Sequence, residues 1–217
     1  PPPTTITPGA MYAALNNASP HQESALVLCC KPLPLYGFEG DLPEEAVQPA
    51  GVDMSIHAIY RITGQAVLGD EGDYVKGERV EVKAHTRRSF DQQSNFDAVQ
   101  ALRKLKIHPD DPREFYYLDP DAAYIIEYGE EIEIPDEHVG RIYPRSRLMR
   151  SGGMLFTALW DPGYRGRGEG HLLVTNPSGM VLEKGMRIGQ MVFESTEALD
   201  QSYDGTHQGE NLDEAAE

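Results

Sequence analysis

The chain has 217 residues, 40% hydrophobic and 25% charged, with a formal net charge of −16 at pH 7. That length suffices for one domain with a proper core. The charge would repel a long phosphate backbone over most of the surface, so nucleic acid is not the expected partner, and no apolar run approaches the ~20 residues of a membrane span.

Taken from the N-terminus, PPPTTITPGAMYAALNN lacks the basic start and apolar core of a signal peptide, and residues 1–25 read as an N-terminal arm. The two cysteines, Cys29 and Cys30, are adjacent, which disfavours a disulfide between them. They read as buried thiols in a reducing compartment, so a cytoplasmic (intracellular) protein is expected. Residues 26–195 read as one body punctuated by 21 Gly and 16 Pro, with short segments between them. Alternation predicts strands at Ser55–Ile62, Arg79–Ala84 and Glu130–Ile134; Ala122–Tyr128, His171–Asn176 and Arg187–Phe193 read as further strands. One helix is predicted over Phe96–Lys106, where Val99, Leu102 and Leu105 recur at helical spacing. Short strands between turn signals point to an all-β sandwich or barrel. Residues 196–217 read as a C-terminal arm with an acidic, solvated end. Within it YDGTHQGE, Tyr203 to Glu210, sets two glycines among polar residues, a composition suited to closing over a ligand.

Against this acidic background the stretch from Val139 to Gln190 is basic. It carries eight Lys or Arg (Arg141, Arg145, Arg147, Arg150, Arg165, Arg167, Lys184, Arg187) and three acids, Asp161, Glu169 and Glu183. The rest of the chain carries eleven bases and thirty-two acids. A local positive field in a negative protein suits a compact polyanion, and a nucleoside triphosphate fits, met by Arg forks, backbone amides and a hydroxyl such as Ser146. The sequence contains neither a G-x-x-x-x-G-K-[ST] phosphate loop nor the H-x-E and P-C-x-x-C pair of zinc nucleobase deaminases. Its seven histidines are scattered without metal-ligand spacing.

AGVDM (Ala50–Met54), YPRSRLMRSG (Tyr143–Gly152), WDPGYRG (Trp160–Gly166), EKGMRIGQMVF (Glu183–Phe193) and YDGTHQGE follow one another in that order. Together, over roughly Gln48 to Glu210, they resemble the five motifs of the trimeric dUTPase and dCTP deaminase superfamily, and look most like its archaeal-type, deaminase-like branch. The resemblance implies a distorted jelly-roll or β-sandwich barrel, a homotrimer with active sites at subunit interfaces, and hydrolysis of dUTP to dUMP and pyrophosphate. It also implies Mg²⁺ held mainly by the substrate triphosphate. Asp161 stands where the family places the carboxylate that deprotonates the attacking water, and Tyr164 where a ring packs on the deoxyribose. Arg145 and Ser146 match a phosphate-contacting pair, Arg150 a further phosphate-binding Arg, and Gln190 the glutamine of the fourth motif. Asp53 matches the first-motif aspartate, with a supporting role. Tyr203, Gln208 and Gly209 resemble the arm that closes over the triphosphate, in this family often from a neighbouring subunit.

The chemistry agrees with these roles. Cleavage between the α- and β-phosphates needs an activated water and charge stabilisation on the phosphoryl oxygens. Asp161 supplies the base and the Arg cluster the charge. The alternative is deamination: the family's dCTP deaminases carry a Glu in the strand after the D-P-G motif, three residues before its terminal Asn. Leu173 stands there, and the nearest acid, Glu169, lies in a Gly-rich loop two residues longer than usual. That loop, a single Q-G step in the arm, and Arg147 in place of a small residue allow a third reading, a nucleotide-binding regulatory relative. Arg147 would either add a phosphate contact or obstruct the pocket.

Overall fold

The computed structural model describes residues 30–32, 44–69, 74–196 and 202–212. The arm expected over residues 1–25, Cys29, and the last five residues of the acidic tail lie outside these.

The described elements in chain order are β1 (Cys30–Pro32), β2 (Val47–Gln48), β3 (Gly51–Ile62), β4 (Val67–Leu68), β5 (Tyr74–Val75), β6 (Arg79–Glu81) and β7 (His85–Thr86). Then come α1 (Arg87–Gln92), α2 (Phe96–Lys104), β8 (Glu114–Leu118), β9 (Ala123–Tyr128), β10 (Glu130–Glu133) and β11 (His138–Pro144). The chain continues through α3 (Ser146–Arg150), β12 (Gly153–Phe156), β13 (Arg165–Gly166), β14 (Glu169–Val174), β15 (Met180–Glu183) and β16 (Arg187–Ser195). The main antiparallel sheet runs β11-β16-β3-β9-β14-β12, with β2 and β6 also paired to β3. Its end strands, β11 and β12, lie beside each other, so the sheet almost closes into a barrel. Smaller sheets, β1-β10-β13, β15-β8-β7 and the two-stranded β4-β5, complete the all-β architecture expected from the sequence.

The longest strand shows how the core is built. Val52, Met54 and Ile56 of β3 face inward and are buried, and then the phase changes to Ile59. The β3–β9 register shifts between Ile56 and Ala58, a bulge at His57 that exchanges the two faces of the strand. Inside, these residues pack with Leu118, Ile126, Leu172, Val174 and Met191. A second, smaller core joins Phe90 of α1 and Ala98, Val99 and Leu102 of α2 to Phe115 of β8.

Among the described residues three short α-helices, and a 3-10 turn over Glu44–Ala46, stand where the sequence predicts one helix. α2 is the predicted helix, opened by Asn95, whose side chain accepts from the Ala98 amide at 3.0 Å. It ends at Lys104, and Lys106 has φ 56°, so Leu105 leaves the apolar face and is 70% exposed. α1 and α3 have six and five residues, too few for a 3.6-residue periodicity to register in sequence.

Candidate active site

The D-P-G-Y turn is pinned to the sheet at both ends. Gly140 of β11 and Trp160 exchange backbone hydrogen bonds at 2.9 and 3.0 Å, which places Asp161 just past that bridge with its side chain exposed. Downstream, the Gly163 amide donates to the Ile134 carbonyl at 2.8 Å and the Ile134 amide to the Tyr164 carbonyl at 2.8 Å. Gly163 sits at φ 79°, and a Cβ there would lie 2.7 Å from that of Ser202, so the arm can approach only a glycine.

Tyr164 is 6% exposed. Its ring meets Trp160 at 5.1 Å and Tyr203 at 5.8 Å, both edge-on, and its hydroxyl donates to Glu210 Oε1 at 3.1 Å. Burial, reinforced by the Glu210 carboxylate, holds that hydroxyl protonated well above the ordinary phenol range. Residues 202–212 run along the same turn. The Tyr203 amide donates to the Pro162 carbonyl at 2.9 Å, and the Gly209 amide to the Arg165 carbonyl at 2.7 Å. The Gln208 side chain accepts from the Arg165 amide at 2.9 Å and donates to the Gly163 carbonyl at 3.0 Å. Tyr203, Gln208 and Gly209 therefore dock on their own chain. A cleft of about 240 Å³ remains between turn and arm, lined by Asp161, Tyr164, Glu169, Tyr203, His207 and Glu210 among others. The Asp161 carboxylate makes no ion pair among the described residues, which leaves it available to a water or a hydrated cation. Among the described residues no three His, Cys, Asp or Glu are grouped to hold a metal by themselves, and a cation carried by its substrate needs no such group.

The remaining predicted residues lie outside this cleft, around Asp53 and the helix that follows Arg145. Asp53 of β3 stands opposite Gln190 of β16. Arg145 leads into α3 and reaches back, its Nη1 3.2 Å from Asp53 Oδ2. Asp53 is 2% exposed; burial raises its pKa, opposed by the positive charges of Arg145 and Arg187. Ser146 and Arg150, first and last in α3, are exposed four residues apart on one helix face. None of Asp53, Arg145, Ser146, Arg150 and Gln190 lines the Asp161 cleft. Arg147 instead lines a cavity of about 660 Å³ between α3, α2 and β15.

Residues 38–196 match the family model described as dCTP deaminase-like. The chain belongs to the dCTP deaminase-like family. It is 35% identical to the probable deoxyuridine 5'-triphosphate nucleotidohydrolase of Aeropyrum pernix, over 86% of this chain and 100% of that protein. Against the protein of the same name from Halobacterium salinarum the identity is 34%, over 78% of this chain and 87% of the other. The deoxyuridine 5'-triphosphate nucleotidohydrolase of Methanocaldococcus jannaschii is 30% identical over 79% of this chain and 93% of its own. Among solved structures, the 2'-deoxycytidine 5'-triphosphate deaminase of Agrobacterium tumefaciens is similar at 16% identity and TM-score 0.47, over 87% of this chain. The chain spans 47% of that structure's own length.

Within this dCTP deaminase-like domain, the two positions weighed for proton transfer at a base are occupied otherwise. Leu173 of β14 lies opposite Met154 of β12 and offers only hydrocarbon. Glu169 is tied down: Arg79 Nη1 lies 2.6 Å from Oε1 and Lys76 Nζ 3.1 Å from Oε2. Burial works to raise its pKa, but the hydrogen bond and charge of Arg79, with Lys76 beside it, outweigh burial and hold the carboxyl below its usual range. Nothing in the sequence marks Arg79 or Lys76 as site residues, and Glu210 stands there only as the end of a motif. Their partners lie 46 to 93 residues away, beyond any local pattern. Among the described residues no helix is long and apolar enough to cross a membrane.

Proposed function

We propose that this chain is a dUTP diphosphatase that cleaves dUTP to dUMP and pyrophosphate, with Mg²⁺ brought by the triphosphate, and that it works as a homotrimer. The observation that carries the reading is the exposed Asp161 carboxylate, without an ion-pair partner among the described residues, in the lining of the Tyr164 cleft. Asp161 accepts a proton from a water as that water attacks the α-phosphorus, and pyrophosphate leaves. Arg145, Ser146 and Arg150 take up charge on the phosphoryl oxygens, and Arg145 is already aimed by its pairing with Asp53. When bound, Mg²⁺ supplies further neutralisation of the phosphate oxygens. Three relatives at 30 to 35% identity carry the name deoxyuridine 5'-triphosphate nucleotidohydrolase, which supports the same chemistry here.

Two features favour an assembly. The Arg145 cluster and the Asp161 cleft are separate in one chain, so a complete site needs a neighbouring copy to bring one to the other. The edge strand β12 also leaves Met154 and Phe156 exposed, and Tyr143 of the neighbouring end strand β11 and Leu159 are exposed too, apolar area of the sort that subunits cover. Tyr164 is enclosed by Trp160, Tyr203 and Glu210, so contact with a deoxyribose requires the arm to lift and close again.

Deamination is disfavoured because Leu173 cannot carry a proton and Glu169 is engaged by Arg79 and Lys76. The deciding experiment incubates the protein with Mg²⁺ and each deoxynucleoside triphosphate, and follows nucleotides, pyrophosphate and ammonia. dUMP and pyrophosphate from dUTP are expected. Ammonia from dCTP would replace this reading with deamination, and binding without product would make the chain a regulatory relative.

A further inference from the structure

The Gly-rich loop after Tyr164, read from sequence as a longer tip, is anchored through the sheet. Arg167 at its centre is 3% exposed, and its Nη1 lies 3.1 Å from Oε1 of Glu127, a residue of β9 that is 6% exposed. Glu127 is itself supported: the Tyr60 hydroxyl donates to its Oε2 at 3.3 Å, and His57 Nε2 lies 3.8 Å from Oε1. A buried guanidinium and a buried carboxylate stabilise each other, so an outward swing of the loop would part this pair.

The backbone of the same residue serves the arm. The Arg167 amide donates to the Glu210 carbonyl at 3.0 Å, and its carbonyl accepts from Asn211 Nδ2 at 2.9 Å. Two residues earlier, Arg165 holds Gln208 and Gly209. Gly166 lies between them, where a Cβ would fall 2.6 Å from the Tyr164 hydroxyl and 3.1 Å from the Glu210 carbonyl. Residues 165–167 thus form a short template, and the Arg167 side chain is what fixes its height above the sheet.

We propose that Arg167 and Glu127 are positioning residues: their buried pair sets the template on which the C-terminal arm docks, and through it how well the arm closes beside Asp161. The docking half stands on the geometry alone, whereas the effect on turnover rests on the dUTP diphosphatase reading.

Amide hydrogen exchange of the full-length chain tests the docking half. Arg167→Met should speed exchange in residues 202–212 on the order of tenfold while β16 keeps its wild-type rate, and Arg167→Lys should restore part of the protection. An unchanged arm, or an equal rise in β16, would overturn the proposal. Where Arg167→Met fails to fold, the double variant Glu127→Gln/Arg167→Met removes both charges of the pair together and should give the same loosened arm. In turnover with dUTP and Mg²⁺, Arg167→Met should raise KM about tenfold and change kcat less. Absence of dUTP turnover in the wild-type chain would count against the diphosphatase reading and leave the exchange result to decide the docking.

Discussion

The Tyr164 hydroxyl donates to Glu210 at 3.1 Å, so the ring expected to face the sugar is fastened to the arm that covers it. His207 Nδ1, 2.9 Å from the other oxygen of Glu210, extends the fastening. Tyr164→Phe removes one hydrogen bond to a carboxylate and keeps the ring, and should weaken arm closure by about 1 kcal/mol, a few-fold rise in KM with kcat retained. Tyr164→Ala removes the ring as well and should let UTP compete as a substrate. Unchanged discrimination between dUTP and UTP would take Tyr164 out of sugar selection.

Asp161→Asn keeps the size of the side chain and removes its basicity. Turnover should fall by at least about 10²-fold while nucleotide binding, measured by titration calorimetry, stays within a few-fold of wild type. Loss of binding with retained residual rate would contradict a role as base.

The pairing of Glu169 with Arg79 and Lys76 predicts a pH-dependent share of stability. A carboxyl held below its ordinary value of 4.5 stabilises the fold above that value, and the contribution is lost as pH falls through the lowered folded pKa. Glu169→Gln should therefore be destabilised at pH 7, with the gap to wild type shrinking in acid. Denaturant unfolding at a series of pH values measures this directly, and a gap that widens in acid would mean that the ion pairs do not stabilise the loop.

Two leucines of one predicted helix should behave oppositely. Leu102 is fully buried between α2 and β8, and its replacement by Ala should cost about 2 to 4 kcal/mol. Leu105, beyond the helix end and exposed, should change stability by less than about 0.5 kcal/mol when replaced by Ala. Chemical denaturation of both variants separates the observed helix from the longer one that spacing suggested.

What the sequence conveyed depended on how local each pattern was. β3 alternates clearly enough to read, β9 is legible as a short apolar segment, and the ordered motifs point to Asp161, Tyr164 and Tyr203, which the fold gathers around one cleft. β8 gave no alternation because it serves two cores: Phe115 packs under the helices while Tyr116 and Leu118 face the barrel, so neither face is polar. The ties of Arg167 to Glu127 and of Arg79 to Glu169 span 40 and 90 residues, and each residue alone resembles ordinary surface charge. The motifs likewise could not tell that Arg145 and Asp161 lie in different parts of one chain, because spacing orders residues along the sequence and says nothing about their distance in the fold.

The bulge at His57 makes the length of β3 harder to change than its composition. Before it, Met54 and Ile56 point inward and Asp53 meets Arg145; after it, Ile59 points inward. An exchanged outward side chain alters one position. Loss or gain of a residue between Met54 and Ile59 would turn one end of the strand inside out, sending Asp53 or Ile59 to the wrong side. A change of length within this strand is therefore costlier than a substitution, and the turns that flank it are the places where an added residue does least harm.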